Sequence, residues 1–243
     1  MKSDAYGQEA RTSTWADATV IAVALVLPTI TTYLYFVLLA GSELMRVAFA
    51  ASKIVQFALP LVWVIGVQRV RISFRPPSSK GVVLGLAFGA MVLVAMLVLY
   101  FGFLRTSSLL ADAPAEVRRK LTQLGCDTPL AFLALAAFYS LGHSFLEEYY
   151  WRWFAFGQLA RLMPLWPAIV LSSLGFMAHH VIVVGMYIDQ WPLVMLFSLC
   201  VAVGGAVWAW MYHKSGTLYG PWLSHMLVDA GLMAMGYDMV WGS

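Results

Sequence analysis

Long apolar stretches alternate with short polar breaks along the whole chain, and each stretch is about as long as a membrane-spanning helix. A helix that crosses the hydrocarbon core of a bilayer needs about 20 mostly apolar residues. The stretches of this length are residues 17–40, 47–68, 81–104, 129–151, 166–187, 192–212 and 219–240. The pattern predicts an all-α, polytopic transmembrane bundle of about seven to eight helices, which forms a single domain over residues 1–243.

The polar breaks carry residues that interrupt helices. Residues 69–80 combine charges with a Pro-Pro pair, and residues 161–167 contain two prolines. The longest break, residues 105–128, contains a short charged segment that we expect to form a helix at the membrane surface.

The fourth apolar stretch is unusually long. Its helical pattern continues from Pro129 towards Met163. At the helical rise per residue this gives about 50 Å, against a hydrocarbon core of about 30 Å. We therefore expect this helix to tilt, bend or extend beyond the membrane.

Composition excludes several classes of protein. Hydrophobic residues make up 61% of the 243 residues and charged residues 11%, whereas soluble domains have about 25% charged residues. A soluble enzyme and a disordered chain are excluded, and a net charge of +3 argues against a partner such as nucleic acid. Cys126 and Cys200 lie far apart and predict neither a disulfide framework nor a zinc motif. The composition implies the lipid bilayer as a partner.

The distribution of cations predicts the orientation in the membrane. If seven helices alternate in direction, eight cations lie on the side of the N-terminus: Lys2, Arg11, Arg69, Arg71, Arg75, Lys80, Arg161 and Lys214. Five lie on the other side: Arg46, Arg105, Arg118, Arg119 and Lys120. The positive-inside rule then predicts a cytoplasmic N-terminus for an integral, multi-pass protein of the cell membrane, if the host is bacterial. Residues 1–16 lack a signal-peptide pattern, so we expect the first helix to direct insertion.

Ionisable side chains occur inside the apolar stretches, where they usually face the protein interior or a water-filled cavity. Most are in the C-terminal half: His143, Glu147, Glu148, Arg152, His179, His180, His225 and Asp229. In the N-terminal half, Lys53 has no partner that the sequence identifies. The pattern therefore concentrates candidate acid–base chemistry on three C-terminal helices.

Helical geometry assigns these groups to different faces, because residues four apart lie on one face. Glu148 and Arg152 form one such pair, which would be an ion pair with a structural or a supporting role. Glu147 falls on the face of His143 and Trp151, where it is a protonated core carboxyl, a rim residue or a free general base for water.

The two histidine groups on the later helices differ. Asp229 follows His225 by four residues and could fix the tautomer and orientation of that imidazole. His179 and His180 are adjacent, so they diverge by about 100° and should not both face one cavity.

Three motifs in order resemble those of the CPBP family, the CAAX-protease and bacteriocin-processing or Abi-type group that includes the type II CAAX prenyl endopeptidases. The motifs are Glu147-Glu148-x-x-x-Arg152, Phe176-x-x-x-His180 and His225-x-x-x-Asp229. The resemblance covers about residues 129–240 and leaves the N-terminal half without specific motifs.

The resemblance implies an intramembrane endopeptidase that hydrolyses a peptide bond with a glutamate-activated water. Its substrate would be a membrane-associated or lipid-modified peptide or protein. Glu147 would be the general base, His180 would hold or polarise the water, and His225 would stabilise the oxyanion. His180 fits the spacing from Phe176, while the adjacent His179 is the competing choice.

The resemblance also assigns supporting roles. Glu148 and Arg152 would hold the Glu147 segment in place. Asp229 stands where many relatives carry Asn, which can donate a hydrogen bond to an oxyanion, whereas an ionised Asp cannot. Asp229 would therefore either orient His225 or be protonated.

Some alternatives remain open. A glutamate with two or three histidines is also a zinc-ligand set, although no HExxH motif occurs, and the resemblance implies no metal and no other cofactor. A non-proteolytic scaffold or immunity protein would retain the same motifs. A proton-coupled transporter could use Glu147, His180 and Asp229 as a relay, but the two halves show no repeat symmetry.

Overall fold

The computed structural model of the protein describes residues 14–40, 42, 44–72 and 75–242. The predictions for the N-terminal segment, including Lys2 and Arg11, concern residues outside this range. The side chain of Arg46 is also outside the description. The described residues are almost entirely helical and form eight helices, as the apolar pattern predicts.

The first three helices each end in a π-helical segment. They are α1 (Thr14–Tyr33, then Leu34–Leu38), α2 (Leu44–Leu61, then Val62–Val67) and α3 (Ser79–Leu99, then Tyr100–Leu104). A 3₁₀ turn at Ser108–Leu110 leads to the remaining helices: α4 (Ala113–Leu124), α5 (Pro129–Leu162), α6 (Leu165–Gly185), α7 (Trp191–Ser215) and α8 (Tyr219–Trp241).

Six of these helices are long and apolar enough to cross a membrane, namely α1, α2, α3, α5, α6 and α7. Their bounds lie within a few residues of the predicted stretches, except that α5 continues beyond residue 151 to Leu162. The seventh predicted stretch forms α8, which has 23 residues but is not one of the six. The polar side chains of this helix, among them His225, Asp229 and Asp238, reduce its apolar character.

Contacts with α3 nevertheless show that α8 extends over the same length of the bundle as α3. Near the start of both helices, Gly85 faces the backbone of Gly220 so closely that a side chain at Gly85 would overlap it. Near their ends, Tyr100 Oη donates to Asp238 Oδ2 over 2.9 Å. The two helices therefore run side by side and in the same direction, so α8 crosses wherever α3 does.

The long helix α5 spans 34 residues, which confirms the prediction that it runs past a single bilayer thickness. Its regular geometry is interrupted by two π-helical segments, Phe138–His143 and Tyr149–Phe156. Between them lies the short α-helical segment Ser144–Glu148, which carries both glutamates. Such π-helical irregularities are frequent at functional sites.

The main hydrophobic core surrounds the second π-helical segment of α5. It combines buried side chains of α1, α5, α6 and α7, including Ala24, Tyr150, Trp151, Phe154, Phe176 and Trp208. A buried polar network joins α1, the end of α2 and α5 at one end of the bundle, where Gln68 Nε2 donates to Asp17 Oδ1 over 2.8 Å and to Gln158 Oε1 over 3.0 Å. Together they fix the position of α5 relative to α1 and α2.

The short helix α4 lies at the opposite end of the bundle. Leu121 of α4 packs with Phe132 of α5 and Val240 of α8. Arg118 Nη2 also donates to the Val240 carbonyl over 2.7 Å. The predicted short helix is therefore confirmed as a helix, and it contacts the ends of α5 and α8.

Candidate active site

Glu147 lies at the centre of a buried cluster of imidazoles. Its side chain is on the Ser144–Glu148 segment, and the residue is 4% exposed. Glu147 Oε1 lies 3.6 Å from His179 Nε2 and 3.9 Å from His143 Nε2, and Glu147 Oε2 lies 3.7 Å from His225 Nε2. These distances are too long for direct hydrogen bonds, so the contacts are electrostatic. Three helices thus bring histidine nitrogens to one carboxylate, and the predicted neighbourhood of Glu147 and His143 is present.

Glu148 connects Arg152 with His225. Its Oε2 lies 3.1 Å from Arg152 Nε, as the four-residue spacing predicts, and its Oε1 accepts a hydrogen bond from His225 Nδ1 over 2.8 Å. Glu148 is fully buried and Arg152 is 2% exposed. Since Nδ1 of His225 donates to a buried carboxylate, its Nε2 is directed towards the centre of the cluster.

Asp229 has a looser contact with His225 than its spacing predicts. Asp229 Oδ1 lies 3.5 Å from His225 Nε2, so the shorter bond to His225 comes from Glu148. The role of Asp229 as the group that orients His225 stays a prediction, and Glu148 is the stronger candidate for that role.

The guanidinium of Arg152 lies between aromatic faces. Its Cζ is 4.5 Å from the centroid of the Phe176 ring and 5.0 Å from that of Trp208. Among the described residues, Nη1 and Nη2 have no hydrogen-bond partner. The aromatic rings and the Glu148 carboxylate therefore compensate for the burial of this cation.

The adjacent histidines of α6 contact different partners. The His179 ring stacks on Trp151, with centroids 5.8 Å apart and an interplanar angle of 3°, and its Nε2 reaches Glu147. His180 Nδ1 lies 2.8 Å from the Phe176 carbonyl oxygen. The two imidazoles lie only 4.2 Å apart, so they diverge less than helical spacing predicts. His179 contacts Glu147, whereas the hydrogen bond of His180 goes to Phe176, and the choice of His180 as the catalytic histidine stays a prediction.

Two tryptophans of the site stack on its histidines. Trp208 stacks on His225 at 4.4 Å and 16°, and its Nε1 donates to Ser224 Oγ over 2.8 Å. Nothing in the sequence singles out Trp208 among the other tryptophans. The helical spacing predicts that Trp151 shares the face of Glu147. In the structure, Trp151 stacks on His179, which contacts Glu147. Both indoles restrict the rotation of a histidine ring.

No group of three or more His, Cys, Asp or Glu side chains within the described part of the chain is arranged to hold a metal ion. This finding concerns geometry alone. The expectation that the protein uses no metal or other cofactor therefore stays a prediction.

The C-terminal half matches a known family. Residues 129–231 match the family model described as "Type II CAAX prenyl endopeptidase Rce1-like". This segment is therefore similar to the type II CAAX prenyl endopeptidases. The match covers fewer than half of the 243 residues, but it includes α5, α6, α7 and the part of α8 that carries His225 and Asp229. No curated protein and no solved structure matches the chain.

The match and the fold together indicate the class of the protein and its location in a membrane. The family resemblance inferred from the three motifs is confirmed, and it indicates a protease of the CAAX-endopeptidase type. With six helices capable of spanning a bilayer, the chain is an integral, multi-pass membrane protein. The orientation of its N-terminus stays a prediction.

Proposed function

We propose that the protein is an intramembrane endopeptidase in which Glu147 activates a water molecule for attack on a peptide bond. The observation that carries this proposal is the convergence of His143, His179 and His225 on the buried Glu147 carboxylate. Among the described residues, no arginine or lysine pairs with this carboxylate, so it remains available to accept a proton. The family match to CAAX-type endopeptidases supports the same chemistry.

The proposed reaction begins when Glu147 takes a proton from water while the water oxygen attacks the carbonyl carbon. His179 Nε2, on the Oε1 side of Glu147, orients the water. His225 in its imidazolium form donates from Nε2 to the oxyanion of the tetrahedral intermediate. The proton on Glu147 then passes to the leaving nitrogen as the C–N bond breaks, which releases a carboxylate and an amine.

Glu148 and Arg152 act as positioning residues in this proposal. Glu148 holds Nδ1 of His225, so that Nε2 of the same ring faces the reacting carbonyl. Arg152 in turn holds Glu148 through the contact of 3.1 Å. Removal of either group would leave a charge buried without its partner, which costs about 3–5 kcal/mol of stability in comparable sites.

The substrate in this proposal is a peptide that reaches the site from the membrane. The groups of the site are buried among membrane-spanning helices, so a lipid-modified peptide has direct access that a soluble peptide lacks. The family description names a CAAX prenyl endopeptidase, which supports a prenylated C-terminal CAAX-type peptide as the substrate class.

The test is cleavage of a farnesylated peptide ending in the one-letter sequence CVIM by the purified, detergent-solubilised protein. Glu147→Gln should lower kcat/KM by about 10²–10⁴-fold, because the amide cannot accept the proton of water. The matched control is Glu116→Gln, which removes a carboxylate paired with Arg119 on the exposed surface of α4 and should leave kcat/KM unchanged.

Three outcomes would contradict the proposal. A Glu147→Gln protein that cleaves as fast as the wild type would remove the glutamate mechanism. Loss of wild-type activity with a zinc chelator, and its recovery with added zinc, would replace the metal-free mechanism with a metal-dependent one. If no cleavage occurs but a protective phenotype in cells survives Glu147→Gln, the scaffold hypothesis would be favoured instead.

A further inference from the structure

Lys53 is a cation within a membrane-spanning helix that the proposed chemistry does not use. It lies on α2, in the span Val47–Val67, and its side chain is half-buried. Its ammonium donates to the neutral amide oxygen Oε1 of Gln56 over 3.2 Å. None of the described carboxylates forms an ion pair with it. A cation in a span with only a neutral partner is costly and points to a function.

Two phenylalanine rings hold the ammonium of Lys53 at its position along the helix. The ammonium lies 5.8 Å from the centroid of Phe49, one turn before it, and 5.7 Å from that of Phe57, one turn after it. Gln56 binds it from the Phe57 side. The head group is therefore fixed by cation–π contacts and one hydrogen bond, rather than extended along the helix towards a membrane surface.

Phe57 connects this cation to the active site. Its ring contacts His143 edge-on, with centroids 6.4 Å apart, and its carbonyl oxygen accepts a hydrogen bond from Tyr149 Oη over 3.2 Å. Lys53 precedes Phe57 by about one helical turn, so it lies on the His143 side of Glu147.

A peptide cleaved next to a prenylated cysteine in a CAAX-type sequence releases three residues that end in a free carboxylate. Three extended residues span about 10 Å. The Lys53 ammonium lies 5.7 Å from the Phe57 centroid, which lies 6.4 Å from the His143 centroid, so the two steps together keep the ammonium within reach of a fragment of this length. The C-terminal carboxylate of the three released residues can therefore lie next to the Lys53 ammonium while the scissile bond lies next to Glu147.

We infer that Lys53 binds the C-terminal carboxylate of the peptide substrate. This inference rests on the proposed function, because it needs a substrate that is cut near its C-terminus. The ammonium meets the carboxylate in an apolar environment, where a charged hydrogen bond contributes more than it does in water. The site would then select peptides with a free C-terminus over peptides that continue.

Binding to a protein that does not turn over separates this inference from catalysis. The probe is a fluorescent farnesylated peptide ending in CVIM, prepared as a free acid and as a C-terminal amide. In the Glu147→Gln protein, the acid should bind about 10- to 100-fold more tightly than the amide. In the double variant Glu147→Gln/Lys53→Met, this difference should disappear through weaker binding of the acid.

Two further variants act as controls. Lys53→Arg keeps the positive charge and should retain most of the preference for the acid. Lys80→Met removes an exposed lysine at the start of α3 and should leave the preference unchanged. Equal binding of acid and amide, or a preference that survives Lys53→Met, would overturn the inference.

Cleavage by the wild type distinguishes failure of the inference from failure of the proposed function. Cleavage of acid and amide at equal kcat/KM would keep the endopeptidase and remove the carboxylate subsite. An acid preference in binding that depends on Lys53, without cleavage of either peptide, would keep the subsite and remove the peptidase activity. In the Lys53→Met protein, kcat could fall equally for both peptides while KM stays unchanged. This result would show that Lys53 acts on Glu147 and not on the substrate carboxylate, and it would also overturn the inference.

Discussion

His179 and His180 lie side by side on α6, but only one of them contacts the candidate base. His179 Nε2 is 3.6 Å from Glu147, whereas Nδ1 of His180 is bound to the Phe176 carbonyl. We therefore expect His179→Ala to lower kcat/KM by about 10²–10⁴-fold and His180→Ala to have a smaller effect. The assay is cleavage of the farnesylated peptide, with His213→Ala, at the end of α7, as the matched control. A larger loss for His180→Ala than for His179→Ala would return the role to His180.

The same pair shows which parts of the site could be predicted from sequence. Contacts within one helix follow from periodicity, and both Glu148–Arg152 and His143–Glu147 are present. The hydrogen bond between Glu148 and His225 joins residues 77 positions apart and depends on how α5 and α8 are rotated about their axes. Periodicity contains no information on that rotation, so the choice of histidine on α6 could not be derived either.

At the scale of helices, α3 positions the helix that carries His225, although the N-terminal half contains no family motif. A side chain at Gly89 would place its Cβ 2.8 Å from Ser224 Cα, and one at Gly85 would overlap the Gly220 backbone. Ser224 directly precedes His225 and binds the indole that stacks on it. Close packing of α3 therefore fixes both the depth and the rotation of His225, a contribution that spacing within the C-terminal half does not reveal.

This packing predicts a difference between two glycines of the N-terminal half. Gly85→Ala should lower stability by about 1–3 kcal/mol and reduce kcat/KM, because α8 must move away from α3 to accept the methyl group. Gly66→Ala is the matched control, since a Cβ at that helical position meets no heavy atom within 4 Å. It should be neutral or stabilising by up to about 1 kcal/mol. The measurements are thermal unfolding in detergent and peptide cleavage, and equal behaviour of the two variants would contradict the close contact.

At the scale of the whole molecule, the bundle has two distinct ends. One end contains the buried network of Asp17, Gln68 and Gln158. At the other end, Arg105 Nε donates to Asp238 Oδ2 over 2.8 Å and Arg118 binds the Val240 carbonyl. Six helices meet the length and composition of a span, and because α8 runs along α3 from one end to the other, we expect seven crossings. The apolar pattern of the sequence predicts seven crossings, whereas the length and composition of each helix alone would exclude α8 from the spans.

If α3 crosses the membrane, the connections before and after it lie on opposite sides, and labelling of one native and one introduced cysteine tests this. Cys126 lies between α4 and α5, at the end where Arg118 binds Val240, while Pro77 is exposed at the opposite end, just before α3. With a cytoplasmic N-terminus, Cys126 should react with a membrane-impermeant maleimide in intact bacterial spheroplasts. In the Cys126→Ser/Pro77→Cys protein, Cys at position 77 should react only after the membrane is opened.

The third cysteine position serves as the internal control for this experiment. Cys200 lies within the α7 span with its side chain on the surface of the bundle, so the lipid should protect it in either orientation. Labelling of position 77 in intact spheroplasts, with protection of Cys126, would reverse the orientation. It would mean that the cluster of Arg118, Arg119 and Lys120 outweighs the cations of the 69–80 connection. Labelling of both positions from one side would mean that α3 does not cross, and α8, which is packed along it, would then not cross either.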